Sequence, residues 1–146
     1  MTGAKPDTGR PEWDVKSEDQ SRLAFGLAVG EFARRDDKVV AISADTIDLF
    51  GLRGFLEASP HRLIEAGIAE QSAMGMASGL ATTGMRPILC GDAPFITTRS
   101  LEQLRNDVAY ANQRVVIGAA CGGIVLATAG GTHHAVEDLA IMRNKP

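Results

Sequence analysis

Apolar and polar positions change rhythm several times along this chain, and each change marks an element. Leu23, Leu27 and Phe32, with Val29 beside them, predict a helix over about 18–35, opened by Ser17 and Gln20 in the manner of a capping box. Val39-Val40-Ala41-Ile42-Ser43 is a continuous β-prone run of the kind carried by buried parallel strands. A loop with a short helix follows at 46–58. Arg62-Leu63-Ile64-Glu65 reads as a second strand, followed by a helix over 69–83. Pro87-Ile88-Leu89-Cys90 is the third strand, 97–112 a helix, and Val115 to Ala120 the fourth strand. A glycine-rich loop fills 122–131, and a last helix begins near His134. This alternation predicts an α/β fold, three α/β/α layers around a mostly parallel sheet.

Glu70 ends the run from Ile64 and opens the helix that follows. Open α/β sheets place ligands at the carboxyl ends of their strands, and a helix N-terminus favours a carboxylate by about 0.3–1 kcal/mol. Glu70 is therefore a candidate acid/base group. Its helix is rich in Ala69, Ala73, Gly75, Ala77, Ser78, Gly79 and Ala81. Each interior glycine costs about 1 kcal/mol against alanine, so close approach of another helix is expected, within the chain or across a subunit interface.

A length of 146 residues suits one domain. Residues 1–15 read as a flexible arm, with Trp13 as a docking anchor, and 16–146 as the folded domain. The net charge of −3 and the lack of a basic block argue against nucleic acid. No apolar run reaches the roughly 20 residues of a membrane span, and the N-terminus has no secretory core. Cys90 and Cys121 are expected to be reduced thiols, and no metal-ligand spacing is present. These features point to a cytoplasmic protein.

Three segments, in order and at matching spacing, resemble the pyrimidine-binding domain of transketolase and its thiamin-diphosphate-dependent relatives. They are Ser43-Ala44-Asp45; Glu65-Ala66-Gly67-Ile68-Ala69-Glu70-Gln71; and Thr132-His133-His134-Ala135-Val136-Glu137-Asp138-Leu139-Ala140 with Met142-Arg143. The resemblance runs over about 18–146 and is strongest to the smaller chain of a split transketolase. It implies that Glu70 hydrogen-bonds N1′ of the cofactor's aminopyrimidine and drives it to the imino tautomer, which deprotonates the thiazolium C2. It also implies that Phe95 stacks on the pyrimidine, with Asp92 and Thr98 standing at pocket positions that are often aromatic. Asp45 falls near the thiazolium end, His133 at a contact to the donor's hydroxyl groups, and Arg22 at a substrate-phosphate arginine. His134 is read as structural.

The departures from the family are equally specific. Cys121 stands in place of a histidine, Ala127-Thr128-Ala129-Gly130 in place of an acidic loop, and Leu49 in place of a phosphate-holding serine. Cys121 is thus a candidate substrate-side residue, and the ketose or keto-acid substrate is expected to differ from a standard pentose phosphate. No segment resembles the diphosphate-binding half of the family. The resemblance therefore implies a partner chain holding the diphosphate and Mg²⁺, most simply in an α2β2 assembly that transfers a two-carbon ketol unit. A non-catalytic scaffold and a decarboxylating enzyme like deoxyxylulose-phosphate synthase are the alternatives.

Overall fold

The computed structural model describes residues 20–143. The expectations for the arm, Trp13 and Ser17 lie outside the described residues. Four strands, β1 (Val39–Ser43), β2 (Leu63–Glu65), β3 (Arg86–Asp92) and β4 (Val116–Ala120), pair in the order β2-β1-β3-β4, with every pairing parallel. The helices are α1 (Gln20–Arg35), α2 (Arg53–Ala58), α3 (Glu70–Thr82), α4 (Ala93–Thr98), α5 (Leu101–Gln103, continued as a π-helix over Leu104–Tyr110) and α6 (Asp138–Arg143). None is long and apolar enough to cross a membrane.

Side chains alternate across the sheet and build a core on each face. Val39, Ala41, Ile88 and Cys90 point to one face, where Val29 and Ala33 of α1 and Phe50, Leu52 and Phe55 cover them. Val40, Ile42 and Leu89 point to the other, under Ala73, Met74 and Ala77 of α3, Ile96, Leu104 and Val108. The expected three-layer architecture is therefore present. Arg62 ties the layers together at one end, donating hydrogen bonds to the carbonyls of Ala33, Asp36 and Val39 and to Ser59 Oγ.

Three boundaries differ from the sequence expectation. β3 runs on through Gly91 to Asp92 because both residues pair with β4, Gly91 with Ala119 and Asp92 with Ala120. The helix expected over 97–112 begins at Ala93, where Pro94 fits the first turn that needs no N–H. It then breaks at Arg99 and Ser100 before α5. The last helix starts at Asp138 rather than near His134, since Ala135 is held extended by an antiparallel bridge to Gly123.

No helix among the described residues lies over the glycines of α3. A Cβ at Gly75 or Gly79 would meet nothing within 4 Å. Ala73, Met74, Ala77 and Ser78 face inward, and Met76 is exposed with the glycines' side of the helix.

Candidate active site

The carboxyl ends of the parallel strands converge on one edge of the sheet, and the sharp exits from two of them are made by non-glycine residues in left-handed backbone. Asp45 follows β1 with φ 58°, and Cys121 follows β4 with φ 59°. Glu65 fixes the first exit: its Oε1 accepts from Asp45 N at 2.8 Å and from Gly67 N at 2.7 Å. Thr46 anchors the same turn through its hydroxyl on the Cys90 carbonyl, at 3.1 Å.

At the first of these exits lies a cavity of about 310 Å³ lined by Asp45, Glu70, Asp92, Phe95, Arg99 and His133, among others. Glu70 enters it from the first turn of α3 and is only 3% exposed. Its Oε2 accepts a 3.0 Å hydrogen bond from Arg99 Nη1. The same guanidinium lies over the Phe95 ring, 5.0 Å from its centroid. His133 meets that ring edge-on, with centroids 5.2 Å apart, and its Nδ1 is 2.9 Å from the Thr132 hydroxyl. A flat aromatic platform and a nearly buried carboxylate thus face one small space, the pairing a planar N–H-bearing heterocycle requires.

Beside it, a second cavity of about 640 Å³ is lined by Arg22, Phe25, Phe50 and Cys121. Arg22 Nη1 lies 3.8 Å from the Cys121 sulfur. Burial raises the pKa of the Cys121 thiol, and the Asp92 charge raises it further. Cys90 is pushed up to about 12 by burial. Both cysteines are free and buried, as protonated thiols rather than a bridge.

The structure therefore brings Asp45, Glu70, Asp92, Phe95 and His133 together and sets Arg22 and Cys121 in the neighbouring cavity. Thr98 lies elsewhere: it is exposed, and its hydroxyl donates to the Pro94 carbonyl. Leu49 packs against the core rather than facing a ligand. Sequence reading missed Arg99 and Glu65. Arg99 carried one signal, its position four residues after Phe95, which is one helical turn.

Removing the Arg99 charge exposes how much Glu70 depends on it. The Arg99 side chain is 48% exposed and that of Glu70 4% exposed, so solvent screens the pair and its worth is well below that of a buried one. Arg99→Met is expected to lower stability by about 1 kcal/mol, read as a lower urea midpoint at unchanged m. An unchanged midpoint would show that Glu70 needs no partner there.

Known proteins resemble this chain over most of its length. The family model described as transketolase, pyrimidine binding domain, matches residues 18–146. A subunit of the apulose-4-phosphate transketolase of Phocaeicola vulgatus is 38% identical over 125 residues, covering 86% of this chain and 40% of that protein. A 1-deoxy-D-xylulose-5-phosphate synthase 1 from Geobacter sulfurreducens is 40% identical over 122 residues, covering 84% of this chain and 19% of that protein. Among solved structures, a split gene transketolase described as an inactive beta4 tetramer superposes with a TM-score of 0.75 at 37% identity, over 86% of this chain and 40% of that one. The chain thus spans well under half the length of each of these relatives.

Proposed function

Since this chain belongs to the transketolase pyrimidine-binding-domain family, we propose that it supplies the pyrimidine half of a thiamin-diphosphate site in a split, transketolase-like transferase that moves a two-carbon ketol unit. The observation that carries this reading is the nearly buried carboxylate of Glu70 facing the same cavity as the Phe95 ring. Those residues fit an aminopyrimidine: a flat ring needs a flat platform, and its ring nitrogen needs a held carboxylate.

In this reading, Glu70 holds the proton at the ring nitrogen, with Oε2 braced by Arg99. Phe95 orients the ring. The exposed Ile68 lines the same cavity and gives its mouth an apolar rim against water. Asp45 stands toward the thiazolium end, His133 toward the substrate, and Arg22 with Cys121 toward the substrate's far end. When bound, thiamin diphosphate supplies the carbanion chemistry that a side chain cannot, while the protein positions it and manages protons. The diphosphate and its Mg²⁺ fall to a partner chain, in an α2β2 assembly acting in the cytoplasm. The open glycine face of α3 suits the boundary between subunits, because it lets another backbone approach the helix that carries Glu70. The relatives named as one subunit of a transketolase and as a split gene transketolase support this division of labour.

Calorimetry on the chain alone and on its complex with the diphosphate-domain chain tests the reading. Thiamin diphosphate with Mg²⁺ should bind the complex and not the isolated chain. A stable complex that binds no cofactor would leave a scaffold. The similarity to a deoxyxylulose-phosphate synthase favours a second reading, decarboxylation of a keto acid, and CO₂ release in the product analysis would select it.

A further inference from the structure

Asp92 closes β3 and occupies the N-cap position of α4, with φ −69° and ψ 136°. An aspartate there ordinarily turns its carboxylate onto the helix's first free N–H groups, which is worth about 1 kcal/mol. This one makes no cap hydrogen bond. Its carboxylate lines the cavity shared by Glu70 and His133 instead; the Cys121 thiol stands within hydrogen-bonding reach of the carboxylate, while Oδ1 is buried with no hydrogen-bond partner. An unmatched buried acceptor costs about 1–3 kcal/mol. The position thus forgoes a cap and carries an unmatched oxygen, two losses that a ligand donor would offset.

Asp92 lines the small cavity and also borders residues of the larger one. It pairs in register with Ala120, and Ala120 and Cys121 line the larger cavity. Burial raises its pKa, while Cys121, His133 and Arg22 pull it back down, so it lies within reach of groups from both sides. A ring held by Glu70 and Phe95 already has its carboxylate and its platform. A substrate reaching from the small cavity toward Arg22 and Cys121 would pass beside Asp92.

We propose that Asp92 is a specificity-determining residue. Its Oδ1 accepts a hydrogen bond from a hydroxyl on the substrate's carbon chain, next to the reacting carbonyl and beside His133, and so selects a polyhydroxylated ketose. This rests on the split-transketolase reading. A hydroxyl suits the place because it donates without adding charge between Arg22 and Glu70.

The test uses the complex with its diphosphate-domain chain, loaded with thiamin diphosphate, and compares wild type with Asp92→Asn and Asp92→Leu. The donors are xylulose 5-phosphate and erythrulose, which carry hydroxyl groups beyond the carbonyl, and hydroxypyruvate, which carries none there. Wild type should prefer the hydroxylated donors. Asp92→Leu should lower kcat/KM for them by about 100-fold more than it lowers kcat/KM for hydroxypyruvate, so the readout is the donor ratio. Asp92→Asn keeps an acceptor oxygen, should retain most of the preference, and carries the test if the leucine variant misfolds. Parallel loss with all donors and of cofactor affinity would overturn the assignment, giving Asp92 to the cofactor's amino group. Unchanged ratios, or a wild type indifferent to hydroxyl groups, would overturn it too. A wild-type complex that binds no thiamin diphosphate would instead overturn the underlying reading, and this assignment with it.

Discussion

Glu70→Ala should reduce ketol transfer by the assembled enzyme by about 10²–10⁴-fold, the range spanned by a positioned acid/base group. The reason is geometric: Glu70 is the carboxylate of the cavity that stands inside the first turn of a helix and accepts a hydrogen bond from Arg99. Asp92 and Asp45 line the same space from the ends of β3 and β1, one at an N-cap position and one in left-handed backbone, so neither can take over the contact to a ring resting on Phe95. Cofactor Kd should rise as well, because the ring nitrogen loses its partner, while partner binding should hold. Steady-state kinetics with calorimetry on the same samples decides it. Activity within tenfold of wild type, at full cofactor occupancy, would remove Glu70 from the proton chemistry.

The second large effect is on the fold. Gly26 sits in the middle of α1, and a Cβ built there would lie 1.8 Å from the Phe50 carbonyl oxygen and 2.9 Å from two Gly51 atoms. The obstacle is backbone, which cannot turn aside as a side chain would. Gly26→Ala is expected to cost about 3 kcal/mol or more, the upper range for overpacking a close contact, and to lower Tm by roughly 10 °C in a chain of this size. Gly30, one turn on, is the internal control. A Cβ there meets nothing within 4 Å, so Gly30→Ala should be neutral or stabilising by up to about 1 kcal/mol through helix propensity. Equal melting temperatures for the two variants would contradict the close packing of α1 on the segment after β1.

The central strands β1 and β3 were legible because they are buried on both faces, and double burial writes itself as an unbroken apolar run in Val39–Ser43 and around Ile88 and Leu89. α3 was legible for a different reason: Glu70 and the small residues after it punctuate the strand before. The placement of Glu70, Phe95, Asp92 and His133 around one cavity followed from a pattern of motifs, not from periodicity. What escaped was tertiary. Glu65 reaches back to the amide of Asp45, a residue 20 positions earlier, and no local rule encodes that. Arg99 contacts Glu70 from 29 positions away, at a helix break that the apolar rhythm ran straight through. The start of α6 was misjudged because the Gly123–Ala135 bridge competes with helix formation, and bridges between loops leave no periodic trace.

The left-handed backbone at Asp45 and Cys121 has an evolutionary consequence. Glycine would adopt φ near 58° and 59° with less strain, and a non-glycine residue there costs about 1 kcal/mol or more. At exposed Asp45, selection for thermal robustness alone would favour glycine, and a stability screen of random variants would enrich Asp45→Gly. At Cys121 the relieved strain is set against the loss of a buried core side chain, so glycine gains little there. The Asp45→Gly winner would have erased a side chain that lines the cavity, so directed evolution for heat tolerance and preservation of the site pull against each other at one identifiable codon, and a library that fixes it avoids the conflict.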